Sequence, residues 1–246
     1  MVKLLVCDVD GTLLPKGQTQ LSNEVKNCFY NALSKGIKIA IASGRSQDDL
    51  KSLFCDFTED MYFIAHDGAL TLKNDLILHH NPIQSEPLQR IFNIYRDRAC
   101  IAFYSASKCY VIGKNDPCVK SNVITNIKNI FEIKEQIFKI GIYGSNVKKA
   151  TQADFVNGVR LCSLSENCIE YVSVIAEKGS ALSDLQMRLF LTKFDTAAIG
   201  NYFNDIKMLK NAKYSAAMTA SPAEVQNVAA CVTDNAANYI NEILKY

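Results

Sequence analysis

The 246-residue chain has almost no net charge: 27 lysines and arginines against 25 aspartates and glutamates leave +2 with histidine neutral. A balance so near zero argues against nucleic acid or an anionic membrane as a partner. No stretch approaches the ~20 apolar residues of a membrane span. The N-terminal apolar run is cut by Asp8 before it could serve as a signal peptide. A soluble, cytoplasmic chain is the expectation. Histidine is scarce: His66, His79 and His80 are the only three, and none is paired with a cysteine at ligand spacing, so a zinc site has little support. The nine cysteines are odd in number and contain no Cys-x-x-Cys. With Cys7, Cys28, Cys100 and Cys231 in apolar runs, buried free thiols in a reducing compartment account for them better than a disulfide framework.

What the chain does have is concentrated in its first fourteen residues. Leu4 to Cys7 is a nearly unbroken apolar run, the pattern of a strand buried on both faces of a parallel sheet. It stops at Asp8 and Asp10, which on an extended backbone point to the same side, and Gly11 lets the chain turn away. In open parallel sheets ligands sit beyond the carboxyl ends of the strands, where this pair would stand. A solvated Asp-x-Asp-Gly turn is the plain alternative. Two carboxylates a few ångströms apart repel, however, and persist when a cation lies between them or one keeps a proton. A hard ion such as Mg²⁺, which completes its shell with water and substrate phosphate, meets the first condition.

Ser22 could cap a helix carrying Val25, Cys28, Phe29, Ala32 and Leu33 and ended by Gly36, and Ile37 to Ala42 reads as a second buried strand. The resulting β-α-β unit, with a right-handed crossover, sets Ser43-Gly44-Arg45 beside the end of the first strand. A hydroxyl and glycine amides at a strand-to-helix turn make a phosphate cradle, because N–H groups at a helix start are unpaired, although Ser-Gly is also an ordinary turn. A short helix with Leu50, Leu53 and Phe54 follows. Tyr62 to Ala65 reads as a third strand ending in His66-Asp67-Gly68-Ala69, and Leu70 to Leu72 with Leu76 to Leu78 as a hairpin around Asn74-Asp75. His66 is expected to line a pocket rather than act as an acid or base.

From Pro82 the pattern changes. Helices are expected over Leu88 to Tyr95, Val123 to Phe131 and Val147 to Val156, with strands at Cys100 to Tyr104, Tyr110 to Ile112, Ile137 to Tyr143, Val159 to Cys162 and Cys168 to Val174. That order suits an α+β unit with helices on one face of a mainly antiparallel sheet, and residues 83–176 read as an inserted cap. Lys178-Gly179-Ser180 then opens a helix with Ala181, Leu182, Leu185 and Leu189 on one face. A lysine there opposes the helix macrodipole, so it is either an exposed ammonium or a counter-ion to phosphate. Thr196 to Ile199 is another buried strand, with Gly200-Asn201-Tyr202-Phe203-Asn204-Asp205 at its end. Ala216 to Met218, Ala223 to Ala230 and Tyr239 to Leu244 supply the remaining strand and helix signals.

Taken together, Asp8-Val-Asp-Gly-Thr12, Ser43-Gly44, Lys178 and the Gly200–Asp205 stretch resemble, in order, the four motifs of the haloacid dehalogenase superfamily. The place and pattern of the insert resemble its Cof-type branch. The resemblance implies an α/β fold: a Rossmann-like parallel-sheet core from residues 1–82 and 177–246, and an α+β cap from 83–176. It implies a Mg²⁺-dependent phosphatase, a phosphoric monoester hydrolase acting on a small phosphorylated metabolite such as a sugar phosphate, through an aspartyl-phosphate. Asp8 would be the nucleophile and Asp10 the acid and base; Ser43, Gly44, Lys178 and Asn204 would hold the phosphoryl group. Asp8, Asp10, Asn201 and Asp205 would form the metal site.

Two positions depart from the pattern. His66-Asp67 stands where the family has Asn-Gly-Ala, and Asn201 replaces a metal-binding aspartate, bringing an amide oxygen without charge. Asp205 would compensate by anchoring a metal-bound water or by binding directly. A phosphotransferase such as a phosphomutase, or a weakly active regulatory or binding homologue, are the alternatives. A monomer or small homo-oligomer is expected, with hinges near Asn81-Pro82 and Ala176-Glu177 and with Tyr104, Tyr110, Lys139 and Tyr143 as cap candidates for substrate contact.

Overall fold

The computed structural model describes every residue except 115, 118, 120, 122, 146, 148–155 and 246. Its strands are β1 (Leu4–Asp8), β2 (Lys38–Ala42), β3 (Met61–Ala65), β4 (Leu70–Lys73), β5 (Leu76–His80), β6 (Cys100–Tyr104) and β7 (Cys109–Ile112). They continue with β8 (Ile124–Asn126), β9 (Lys139–Tyr143), β10 (Val159–Leu164), β11 (Cys168–Ser173), β12 (Thr196–Gly200), β13 (Tyr214–Met218) and β14 (Cys231–Thr233). The helices are α1 (Asn23–Ser34), α2 (Gln47–Leu53), α3 (Ser85–Tyr95), α4 (Lys178–Arg188), α5 (Ile206–Lys210), α6 (Ala223–Gln226) and α7 (Ala236–Ile243). Among the described residues none is long and apolar enough to cross a membrane.

Alternation on β1 explains the first layer arrangement. Leu5 and Cys7 point to one face, into a core shared with Phe29 and Ala32 of α1 and Ile240 of α7. Leu4 and Val6 point to the other, against Leu182 and Leu185 of α4 and Met208 of α5. Each fully buried leucine or phenylalanine contributes about 1.5–3 kcal/mol, so a strand apolar on both sides is held at the centre. The sheet order is β14-β13-β12-β1-β2-β3-β4-β5, parallel through β3 and antiparallel over β4 and β5. This is the Rossmann-like core. Ser22 caps α1 by accepting from the Val25 amide.

The second sheet runs β10-β11-β9-β6-β7-β8, antiparallel except for the β7–β8 pair. Ile140 and Ile142, Ile101 and Phe103, and Ile169 and Tyr171 face Ile91, Phe92 and Tyr95 of α3. On the opposite face of these strands, Tyr104, Lys139, Tyr143 and Glu170 line a cavity shared with the first sheet.

Two expectations change. The helix expected over Val123 to Phe131 is instead β8 followed by a 3-10 turn at Ile130–Glu132. Asn129 and Glu132 close a capping box there, and Val123, Ile124 and Phe131 are exposed while Ile127 and Ile130 are buried, so their helical spacing serves no single face. Of the helix expected over Val147 to Val156, residues 148–155 lie outside the described residues; Val147 and Val156 are both buried. Cys7, Cys28 and Cys100 are buried as expected, but Cys231 is exposed on the edge strand β14.

Candidate active site

The carboxyl ends of β1, β2, β3 and β12 open into a cavity of about 780 Å³ roofed by β6, β9, β10 and β11. Asp8, the last residue of β1, is 4 % exposed. Its Oδ2 accepts from Thr12 Oγ1 at 2.8 Å and its Oδ1 from Lys178 Nζ at 2.7 Å. Lys178 starts α4 and is 1 % exposed; its Nζ also donates to Asp205 Oδ1 at 2.8 Å. The lysine that opposed the helix dipole is thus fixed between two carboxylates.

One ammonium does not neutralise two buried carboxylates. Burial, then the charge of Asp205, pushes Asp8 up to about 7 against the opposing pull of Lys178 and Thr12. For Lys178 burial works against the charge, but Asp205, Asp8 and Asp67 outweigh it and hold the ammonium above its ordinary range. Asp205 is fully buried, and its Oδ2 accepts from the amides of Asn201 and Tyr202 at 2.9 and 3.0 Å. Both of its oxygens are therefore occupied in positioning Lys178 and the turn after β12.

Asp10 lies one turn beyond β1 with its side chain 58 % exposed. Arg45 grips it with both arms, Nε to Oδ2 at 2.9 Å and Nη2 to Oδ1 at 2.6 Å. Such a fork is a strong, oriented contact. Gly11 has a φ of +84°, and Asn201 Nδ2 occupies the space that a Cβ there would need. Ser43 is 1 % exposed, and its Oγ accepts from the Arg45 amide at 3.2 Å. Asn204 donates to Asp67 Oδ1 at 2.7 Å. The Asp67 amide in turn donates to the Ser43 carbonyl at 2.9 Å, and Asp67 holds a φ of +55°.

His66 lies deep rather than on the cavity wall, fully buried with a φ of +50°. Its Nε2 contacts Gln47 Oε1 at 3.1 Å. An amide oxygen only accepts, so Nε2 carries the proton and Nδ1, which has no hydrogen-bond partner among the described residues, is the bare nitrogen. Burial, then Lys139, pushes its pKa down, and the ring is neutral. Gln47 Nε2 donates to the carbonyls of Ser105 and Ala106, at 3.3 and 2.7 Å, tying the two sheets together.

A metal has to suit the residues present. Asn201 Nδ2 donates to the Asp10 carbonyl at 3.0 Å, so the amide head stands at a main-chain oxygen beside Asp8. Turning the amide over would place its oxygen there. Asp8, the Asp10 carbonyl and Asn201 then form an all-oxygen set suited to a hard divalent ion. The cavity is lined by five carboxylates, Asp8, Asp10, Asp49, Asp67 and Glu170, against the cations Arg45, Lys139 and Lys178. That excess of negative charge favours a cation, and the residues fit Mg²⁺.

A family model of haloacid dehalogenase-like hydrolases matches residues 5–241. The chain belongs to that family. It is 26 % identical to phosphatase YwpJ of Bacillus subtilis over 94 % of each chain. With YbjI of Escherichia coli, a 5-amino-6-(5-phospho-D-ribitylamino)uracil phosphatase, it shares 21 % identity over 88 % of this chain and 85 % of that one. A haloacid dehalogenase-like hydrolase from Bacteroides thetaiotaomicron superposes with a TM-score of 0.83 at 20 % identity, covering 99 % and 100 % of the two chains. Among haloacid dehalogenase-like hydrolases, this chain is a phosphoric monoester hydrolase.

The structure brings Asp8, Asp10, Ser43, Gly44, Lys178, Asn201 and Asn204 to one cavity, with Asp205 directly behind it. Sequence reasoning assigned no role to Arg45, Asp67 or Glu170. Arg45 adjoins Ser43-Gly44, and Asp67 was visible as a departure, but neither partner could be read locally. Tyr104, Lys139 and Tyr143 line the cavity; Tyr110 instead packs with the α3 side.

Proposed function

We propose that this phosphatase cleaves small phosphorylated metabolites in the cytoplasm through an aspartyl-phosphate on Asp8, with Mg²⁺ as cofactor. The observation that carries the reading is the buried Asp8–Lys178–Asp205 triad on the floor of the cavity. An Asp8 carboxylate oxygen attacks phosphorus, the bond to the leaving oxygen breaks, and Asp10 gives that oxygen a proton. Water then attacks phosphorus, Asp10 takes its proton, and the bond to Asp8 breaks, releasing phosphate.

Both Asp10 oxygens are held by Arg45 at rest, so this work requires the side chain to leave the fork, and its exposure leaves room for that. The Ser43 hydroxyl, the Gly44 amide and Lys178 bind the equatorial oxygens, where charge remains during transfer. Asn204 joins them by releasing Asp67. Mg²⁺, held by Asp8, the Asp10 carbonyl and Asn201, would screen the nucleophile from the phosphate. Residues 83–176 act as the cap, and 1–82 with 177–246 as the catalytic core. The eight described cysteines are free thiols, which supports a reducing compartment.

The test is a screen of phosphorylated metabolites with and without chelator. Hydrolysis that Mg²⁺ restores is expected; activity indifferent to chelation sinks the metal assignment, and no hydrolysis of any ester sinks the whole reading.

A further inference from the structure

The roof of the cavity carries a network that the chemistry of transfer does not use. Lys139, on β9, is 6 % exposed. Its ammonium donates to Glu170 Oε1 at 2.9 Å and to the Gly44 carbonyl at 3.1 Å, in the loop proposed to cradle phosphate. The Tyr143 hydroxyl donates to the same Glu170 oxygen at 3.1 Å and meets the Tyr104 hydroxyl at 2.9 Å. A phenol has one proton, so Tyr104 is the donor in that pair and its oxygen remains an acceptor. The Tyr143 ring lies across Gly141, where a Cβ would stand 2.5 Å from it.

On residues that line the cavity, the network leaves two acceptors, Glu170 Oε2 and the Tyr104 oxygen, and one Lys139 proton unclaimed among the described residues. Glu170 Oε2 takes no hydrogen bond among the described residues. Each of the three lining cations already has a carboxylate: Arg45 has Asp10, Lys139 has Glu170 and Lys178 has Asp8 and Asp205. Among the described residues lining the cavity, every cation is thus charge-paired, and none brings an unpaired positive charge to a second anion.

We propose that Lys139, Glu170 and Tyr104 select the leaving group, admitting an uncharged hydroxylated one and rejecting one that carries a further phosphate or carboxylate. This rests on the phosphatase reading above. A hydroxyl can donate to Glu170 or Tyr104 and accept from Lys139. An anion has no proton to give them, and the Lys139 charge that would attract it is already paired with Glu170.

The experiment uses the full chain with Mg²⁺. p-Nitrophenyl phosphate checks the phosphatase reading alone. Sorbitol 6-phosphate and 6-phosphogluconate, which differ by a far hydroxymethyl group against a carboxylate, test selection. We expect kcat/KM to favour sorbitol 6-phosphate by about tenfold or more, and Glu170→Gln to shrink that ratio at least severalfold. As an arm independent of any variant, free sorbitol should inhibit the parent at lower concentration than gluconate. Equal use of the two esters, use of neither while p-nitrophenyl phosphate is cleaved, a folded Glu170→Gln with an unchanged ratio, or stronger inhibition by gluconate overturns the proposal. Failure to cleave p-nitrophenyl phosphate and both sugar esters overturns the phosphatase reading, and this one with it.

Discussion

On the floor of the cavity a single ammonium, Lys178, faces two buried carboxylates; on the roof Lys139 faces one, Glu170, and gives its other hydrogen bond to a main-chain carbonyl. The floor is short of positive charge, which is why burial and Asp205 push Asp8 up to about 7. The roof is balanced, and burial of Lys139 is more than offset by Glu170, Cys162 and Tyr104 together. An unbalanced cluster favours the arrival of a cation or a proton, as a site of transfer requires. A balanced one offers only directional hydrogen bonds, which suits recognition.

The comparison can be broken by mutation. Asp8→Asn removes the nucleophile and should lower kcat/KM by roughly 10⁴-fold or more; retention of activity within tenfold in a steady-state assay would place the chemistry elsewhere. Lys178→Met leaves Asp8 and Asp205 buried without a cation. Urea unfolding should show a loss of about 3–5 kcal/mol. Lys139→Met removes the Gly44 carbonyl's donor but strands only one charge, Glu170, whose side chain is 19 % exposed and can rehydrate, and should cost about 1–2 kcal/mol. Equal losses for the two lysines would erase the distinction between floor and roof.

Smaller effects sharpen it. Gly141→Ala drives a methyl into the Tyr143 ring and should destabilise by about 1–3 kcal/mol while raising KM more than it lowers kcat. A stable variant with unchanged KM would mean that the ring's place over the strand does not matter. Asn201→Asp adds a charged oxygen at the Asp10 carbonyl. It should lower the Mg²⁺ concentration for half-activation about tenfold, or ~1.4 kcal/mol, with a matching gain in the Mg²⁺-dependent shift of the unfolding temperature. No change in either titration would remove Asn201 from the metal set.

Floor and roof also differed in how far the sequence revealed them. Asp8, Ser43 and Asn201 sit at strand ends followed by turns, so their apolar runs and glycines marked both position and direction before any coordinates. Lys178 stood out because its helix start disfavours it. Glu170 had no such mark: it lies mid-strand, and its value comes from Lys139 and Tyr143 on the neighbouring strand β9, a pairing set by register. Arg45 was likewise silent, because its partner is 35 residues away. The false helix over Val123 to Phe131 shows the converse, an apolar spacing satisfied by a strand and a capped turn rather than by one buried face.

The most direct test asks where the phosphoryl group rests. Asp10→Asn should slow attack of water, and with p-nitrophenyl phosphate, whose leaving group needs no proton, brief incubation, acid quench and peptide mapping by mass spectrometry should find one phosphoryl group on the peptide containing Asp8. A phosphoryl group on any other residue, or none in this variant while the Asp8→Asn chain still hydrolyses the same ester, would contradict the account.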